Sequence, residues 1–133
     1  METLEDRFLY RFLRVNRERA KQCFDRAVER GLMVVKDNHY RWNVDKYTLS
    51  LFAYFIGRLC GDTSRIEYKT IYDKNGKIKR RKKVIIWVQS GGVYQFPIRV
   101  YFGINASQQR WNKNSTNQHA PKGADVIEEI LDF

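Results

Sequence analysis

The sequence predicts a single α+β domain. Three observations lead to this class: a very apolar segment with helical spacing, an alternating segment folded at an Asn-Gly pair, and amphipathic helical patterns on either side of them. The chain has 133 residues, the size of one domain, and 43% are hydrophobic, enough to form a core. We expect a helical half at 1–63, a basic β-hairpin at 64–89, and short helices at 96–133.

A central helix is predicted at residues 46–60, and the other elements are expected to pack around it. Its apolar side chains cover more than half of its circumference: Leu49, Leu51, Phe52, Ala53, Phe55, Ile56, Leu59 and Cys60. Asp45 is the predicted N-cap, and Gly61 is the residue predicted to end the helix. The apolar run is about fourteen residues, too short for the roughly twenty of a membrane span.

Two amphipathic helices and a short hairpin are predicted before this central helix. The first begins near Thr3 and Asp6, which resemble a capping box, and the second is capped by Asn16 and ends at Gly31. Turn residues 36–39 then separate two short β-favouring runs. The order helix, helix, hairpin is also found in winged-helix modules, and the helix pair is typical of a helical hairpin or a helix-turn-helix arrangement.

The long hairpin, 65–89, is predicted from the turn Asp73-Lys74-Asn75-Gly76, whose Asn-Gly pair is a strong hairpin signal because both residues tolerate a positive φ. Its apolar end, 84–88, is expected to be buried, and its tip to be basic. After it, Phe96-Pro97 is predicted to open a short helix. Asn105 caps a predicted helix at 106–113. A polar loop then leads to an acidic amphipathic helix at 125–133.

The formal charge of +10 is concentrated in the hairpin. Residues 64–88 contain nine cationic and two acidic residues, whereas residues 124–133 contain four acidic residues and no cationic ones. This asymmetry indicates a polyanionic partner for the hairpin. The acidic end either pairs with the basic surface or keeps the end of the chain soluble.

The strongest functional signal is a run in which six of seven residues are cationic: Lys77, Lys79, Arg80, Arg81, Lys82 and Lys83. Their mutual repulsion costs folding energy that a bound polyanion would relieve, and a phosphate backbone is the natural partner. Tyr68, Tyr72 and Trp87 offer stacking faces for bases. The alternatives are a solvated edge that prevents sheet aggregation, and contact with an acidic protein or a membrane surface.

A second signal lies in residues 97–113, where a short helix, a Gly-Ile-Asn turn and a polar helix follow the layout of a DNA-reading helix-turn-helix. The side chains predicted to contact base edges or phosphates are Gln108, Gln109, Arg110 and Lys113. The alternative is a helical corner that only covers the core.

Catalytic patterns are weak, so we predict a non-enzymatic protein with no cofactor and no metal. Glu67 and Lys69 form an E-x-K pair of the kind used by one nuclease fold, but Asp62 is too close to be its usual preceding carboxylate. The two histidines, His39 and His119, lie in different predicted loops without ligand spacing. Cys23 and Cys60 are expected to be buried thiols of a reduced, intracellular protein.

Several short motifs resemble a known group of proteins. They are Gly31-Leu32, Tyr40-Arg41-Trp42, Leu51-Phe52-Ala53-Tyr54-Phe55, Gly57-Arg58-Leu59, Phe96-Pro97 and Phe102-Gly103-Ile104. Together they resemble short uncharacterised proteins of phages and other mobile elements in Bacteroides-type bacteria, over scattered parts of residues 24–131. The long basic hairpin departs from that group. The resemblance implies a bacterial or phage-infected cytoplasm and supplies no activity or site residues.

Two hypotheses follow from the sequence. The first is a nucleic-acid-binding protein, for DNA or RNA, that uses the basic hairpin as a phosphate clamp. The second is a protein-interaction module, such as a phage or mobile-element component or inhibitor, that docks on an acidic protein surface.

Overall fold

The computed structural model describes residues 4–90, 95–104 and 117–131. These residues form five helices and two small antiparallel sheets, which confirms the α+β class. The elements are α1 (Leu4–Arg11), α2 (Arg17–Glu29), β1 (Met33–Lys36), β2 (His39–Trp42), α3 (Leu49–Leu59), β3 (Thr63–Tyr72), β4 (Ile78–Val88), α4 (Gln95–Phe102), β5 (Asn117–His119) and α5 (Ala124–Leu131).

Helix α3 is the centre of the core, as its apolar sequence predicts. All residues from 51 to 57 are buried, and Phe52 packs its ring against the rings of Trp42 and Phe102 at centroid distances of 5.4 and 5.2 Å. Neighbouring elements surround the helix because an element this apolar is stable only when it is covered on nearly every side.

The predicted start of this helix was wrong. Helix α3 begins at Leu49, and its N-cap is Thr48, whose hydroxyl accepts a hydrogen bond from the Leu51 N–H at 3.2 Å. Asp45 lies in a preceding turn, in which the Asn43 carbonyl accepts from the Tyr47 N–H at 3.0 Å. This turn and the bond from Trp42 Nε1 to the Thr48 carbonyl fix the later start.

The N-terminal half follows the sequence prediction closely. The Asn16 side chain accepts from the Arg19 N–H at 2.8 Å, which confirms the predicted cap of α2, and Gly31 ends that helix with a φ of +80°. Cys23 and Cys60 are buried free thiols. In the short β1–β2 hairpin, Asp37 and Asn38 both have positive φ.

The long hairpin is confirmed, and its loop is one residue longer than the predicted turn at 73–76. Among the turn residues only Gly76 has a positive φ, +77°, and the loop spans residues 73–77. The Asp73 carboxylate accepts hydrogen bonds from the N–H groups of Asn75 and Lys77 at 2.8 and 2.9 Å. An aspartate at this position therefore favours a wider loop than the Asn-Gly pair alone predicts.

A third strand joins the hairpin where the sequence predicted only a loop. Strand β5 pairs antiparallel with the buried end of β4, with Ile86 opposite His119, and the Ala120 N–H donates to the Ile85 carbonyl. The pairing satisfies backbone groups of β4 that would otherwise lie unpaired at the sheet edge.

The C-terminal elements complete the core. In α4, Ile98, Tyr101 and Phe102 are buried as predicted, although the helix begins at Gln95, so that Pro97 is its third residue. Helix α5 buries Ala124, Ile127 and Ile130. Buried residues of α1, α3 and α5 belong to one cluster, so the described elements form one domain. The predicted cap at Thr3 and the helix at 106–113 lie outside the described residues.

Candidate nucleic-acid interface

The cationic run lies on a part of the long hairpin that extends away from the core. We call residues 65–83 the arm. Every residue from Asp73 to Lys83 is exposed, and no arm residue belongs to the buried cluster described for the core. The six cations predicted to contact phosphates all lie in this exposed segment: Lys77, Lys79, Arg80, Arg81, Lys82 and Lys83. The two strands stay paired toward the tip, but residues 79–83 of β4 are all cations, which are not buried against the core.

The base of the hairpin is anchored by a buried carboxylate. Asp62 is 1% exposed and accepts hydrogen bonds from Trp87 Nε1 at 2.8 Å and from the Ser90 N–H at 2.8 Å. The Trp87 ring also contacts the Tyr54 ring of α3 at 5.3 Å. Trp87 is therefore a core residue, and its predicted role as a stacking surface was wrong, because its amphipathic ring is used to join the hairpin to α3.

The register of the arm brings like charges together. Lys82 lies directly opposite Lys69, Lys83 opposite Tyr68, and Arg81 opposite Thr70. Like charges at directly opposite positions destabilise a β-ladder. Lys77 belongs to the end loop, and Lys79 is an extra residue at a register shift, since Arg80 pairs with Ile71 and Ile78 with Tyr72.

The arm cations are not neutralised by the described part of the protein. Among the described residues, none of the six predicted contact residues of the arm forms an ion pair. The ion pair that is present joins Arg65 and Glu67 at 3.6 Å, and both side chains are about half exposed. The positive charge of the arm tip is thus open to an external partner.

The two faces of the arm differ in chemistry. Because side chains alternate between faces, one face, which we call the tyrosine face, carries Ile66, Tyr68, Thr70, Tyr72, Ile78, Arg81 and Lys83. The opposite face, the lysine face, carries Arg65, Glu67, Lys69, Ile71, Arg80 and Lys82. Both faces therefore present cations, but the exposed aromatic rings are on one of them.

A basic cleft of about 600 Å³ lies where the arm meets the segment before α5. Four lysines border it, namely Lys69, Lys82, Lys83 and Lys122. Lys82 and Lys83 belong to the cationic run that is evident in the sequence. Lys69 and Lys122 are isolated in the sequence and become their neighbours only through strand pairing and the return of the chain. The cleft extends the cationic surface from the arm toward the body of the domain.

Two acidic residues of α5, Glu128 and Glu129, pair with residues outside the arm. Glu128 accepts two hydrogen bonds from the Arg58 guanidinium at 2.9 Å each, one from Ser64 Oγ at 2.7 Å and one from the Tyr54 hydroxyl at 3.1 Å. Glu129 forms a surface pair with Arg30 at 3.0 Å. Through these two carboxylates, α5 is joined to α3, to β3 and to the end of α2. Neither carboxylate offsets the charge of the arm.

This cluster also perturbs the ionisation of its members. Burial alone would raise the pKa of Glu128, but the hydrogen bonds from Arg58 and Ser64 and the charge of Arg58 outweigh burial and lower the pKa. Burial alone would lower the pKa of Arg58, and the bonds and charge of Glu128 raise the pKa instead. The pair therefore stays ionised near neutral pH.

The second predicted patch follows α4 in the sequence. Gln108, Gln109, Arg110 and Lys113 lie outside the described residues, so the helix-turn-helix remains a prediction. The first part of that motif is described: α4 ends at Phe102, and Gly103 follows with a φ of +73°.

The residues considered for catalysis have other contacts. Glu67 is paired with Arg65 on the exposed arm, and Asp62 binds Trp87 and Ser90. Within the described residues, no group of three His, Cys, Asp or Glu side chains is placed to hold a metal ion. No helix in the same part of the chain is both long and apolar enough to cross a membrane.

Comparison with known proteins gives no relative from which a role can be transferred: no family model, no curated protein and no solved structure matches this chain.

Proposed function

We propose that the protein binds nucleic acid without catalysing a reaction on it, and that the arm is its phosphate clamp. The observation that carries the proposal is the cationic crowding on an exposed projection, including Lys69 directly opposite Lys82. The arm cations repel one another without contributing to the buried core. A bound phosphate backbone would relieve this repulsion, and the cations would release the counterions condensed on that backbone.

The shape of the arm suits this partner. A two-stranded β-ribbon fits the major groove of a duplex, and a ribbon with cations on both faces can also follow a single strand. Lys77, Lys79, Arg80, Arg81, Lys82 and Lys83 would neutralise phosphates, joined at the basic cleft by Lys69 and Lys122. Base contacts by Gln108, Gln109, Arg110 and Lys113 remain part of the prediction. The resemblance stated above favours the cytoplasm of a bacterial or phage-infected cell.

A second candidate function is docking on an acidic protein surface. It is favoured by the exposed apolar side chains Ile66 and Ile78 and by β3, which is an edge strand in the described sheet. An acidic partner could pair its backbone with this edge while its carboxylates contact the arm. Such docking should survive an excess of unrelated nucleic acid, whereas the proposed clamp should be competed by it.

The deciding experiment measures binding to labelled single- and double-stranded DNA and RNA across a salt series. The test variant replaces Lys79, Arg80, Arg81, Lys82 and Lys83 with Ala. The matched control also removes five exposed cations, but away from the arm: Arg7, Arg19, Lys36, Lys46 and Arg99. Both variants therefore lose the same net charge.

The clamp predicts that the wild type binds more weakly as salt rises, with a slope of log affinity near −0.9 per duplex phosphate contacted. The arm variant should lose up to about 4 from the magnitude of that slope and most of its affinity at moderate salt. The control should keep a near wild-type slope. Equal losses in the two variants would mean that net charge alone drives binding, and absence of wild-type binding would exclude the proposal.

A further inference from the structure

We propose that the tyrosine face of the arm is a stacking surface for unpaired bases, so that the preferred ligand is single-stranded nucleic acid. This inference rests on the proposed function and assigns its ligand class. It depends on where the strand pairing places two tyrosines and two cations relative to each other.

Tyr68 and Tyr72 are the aromatic residues of this surface. Their exposed fractions are 66% and 61%, and they lie four residues apart on one strand, hence on the same face, about 13 Å from each other. Within the described residues neither ring contacts another ring. Rings held this far from the core contribute little to its packing, and their faces are open to a planar ligand.

The cations of this face form a second row beside the rings. Lys83 is directly opposite Tyr68, and Arg81, opposite Thr70, lies between the levels of the two tyrosines. Neighbouring strands are about 4.8 Å apart. A single strand that runs along the arm would therefore place phosphates over β4 and bases over β3.

The surroundings limit where such a strand can lie. At the foot of the tyrosine face, a cleft is shared by Ile66 and Lys83 with the acidic residues Asp125, Glu128 and Glu129 of α5. Arg58, which is paired with Glu128, borders the same cleft, so its lining has no net positive charge, whereas the arm cations lie toward the tip and direct the ligand there. On the lysine face, Lys69, Arg80 and Lys82 offer charge without an aromatic ring.

Duplexes cannot use the stacking surface in the same way, because each base face is already covered by its neighbour. A duplex would contact the arm cations only. The tyrosines should therefore determine the preference for single strands over duplexes, whereas the cations determine the salt dependence for both.

The test compares two double variants, Tyr68→Ala with Tyr72→Ala and Tyr68→Phe with Tyr72→Phe. The probes are a labelled dT 20-mer, a U 20-mer and a 20-base-pair DNA duplex at one fixed salt concentration. The alanine variant should bind both single strands at least about 30-fold more weakly and the duplex less than about threefold more weakly. The phenylalanine variant keeps the rings and should stay within about threefold of wild type. Ile66→Ala with Ile78→Ala removes apolar area from the same face without touching a ring, and serves as the control.

The outcomes separate this inference from the proposed clamp. Unchanged single-strand binding in the alanine variant, or equal losses on single strands and duplex, would overturn the stacking role while the salt-dependent clamp stands. Loss of binding in the phenylalanine variant would also overturn it, since the ring is retained there. If the wild type binds none of the probes, both proposals fail.

Discussion

Helix α3 and the arm tip have the same length and opposite environments. Eight of the eleven residues of α3 are buried, whereas all eleven residues from Asp73 to Lys83 are exposed. The helix contains one charged residue, Arg58, and the tip segment contains eight. Burial of apolar area is the main source of folding free energy, so stability resides in the helix and its neighbours, and the charge available for binding resides in the arm.

The border between the buried part of the domain and the exposed arm lies inside strand β4. Lys83 is exposed, and the next residue, Val84, is buried. From there Ile86 and Trp87 belong to the interior, and Trp87 connects the strand to α3 through Tyr54. One strand thus serves both regions, which holds the arm at a defined place on the domain.

The largest expected effect comes from the helix. Phe52→Ala removes a fully buried ring between Trp42 and Phe102 and should lower the free energy of unfolding by about 3–5 kcal/mol. Urea unfolding measures it. Ile78→Ala, an apolar truncation on the exposed tip, is the control and should change the same quantity by less than about 0.5 kcal/mol. A cost below about 1 kcal/mol for Phe52→Ala would contradict the central position of α3.

An intermediate effect is expected at the carboxylate that joins α5 to α3. Glu128→Gln removes the charge paired with Arg58, whose side chain is 22% exposed, and should lower the free energy of unfolding by about 1–3 kcal/mol. Glu129→Gln, at the exposed pair with Arg30, should cost less than about 1 kcal/mol. Similar costs for the two variants would show that the Glu128 cluster adds no more than a surface ion pair.

The same cluster predicts an acid dependence. Because the folded pKa of Glu128 is below its unfolded value of about 4.3, the pair stabilises the protein fully above that value. This contribution is lost as the pH falls through the lower, folded pKa. Unfolding measured from pH 6 to pH 3 should show a smaller decline in Glu128→Gln than in the wild type, and parallel curves would contradict the lowered pKa.

The smallest expected effect on stability comes from the arm. Replacing Lys79, Arg80, Arg81, Lys82 and Lys83 with Ala should change the free energy of unfolding by less than about 1 kcal/mol, since all five side chains are exposed and the Lys69–Lys82 repulsion is relieved. The shift of the melting temperature relative to the wild type reports this change in stability. A large drop would show that the arm is part of the stabilising structure and would break the division between the two regions.

The sequence predicted the parts of the fold that have a strong local signal. The apolar periodicity of α3, the cap at Asn16 and the end at Gly31 were each sufficient to place an element. The start of α3 was missed because Asp45 and Thr48 are both competent caps, and the contact between Trp42 and Thr48 that favours the later one is tertiary. Strand β5 was missed because three polar residues have no periodicity and become a strand only by pairing with β4.

The candidate site was predicted in the same uneven way. The charge run in residues 77–83 was evident because its cations are consecutive. The opposition of Lys69 to Lys82 and the approach of Lys122 depend on register and on the path of the chain, which no local pattern specifies. Trp87 lies in the apolar end that was expected to be buried and was also considered as a stacking face; the bond to Asp62, distant in sequence, decides for the interior.

The border in β4 also has a consequence for how such a protein can change. Cross-strand pairs such as Thr70 with Arg81 lie outside the buried cluster. Deleting two successive pairs would therefore shorten the ribbon, and the side chains at its base that face the interior would still face it. Deleting a single residue from one strand would turn the side chains beyond the deletion to the opposite face of the ribbon. The hairpin is thus an adjustable module: its length and charge can evolve in paired steps while selection on the interior stays the same.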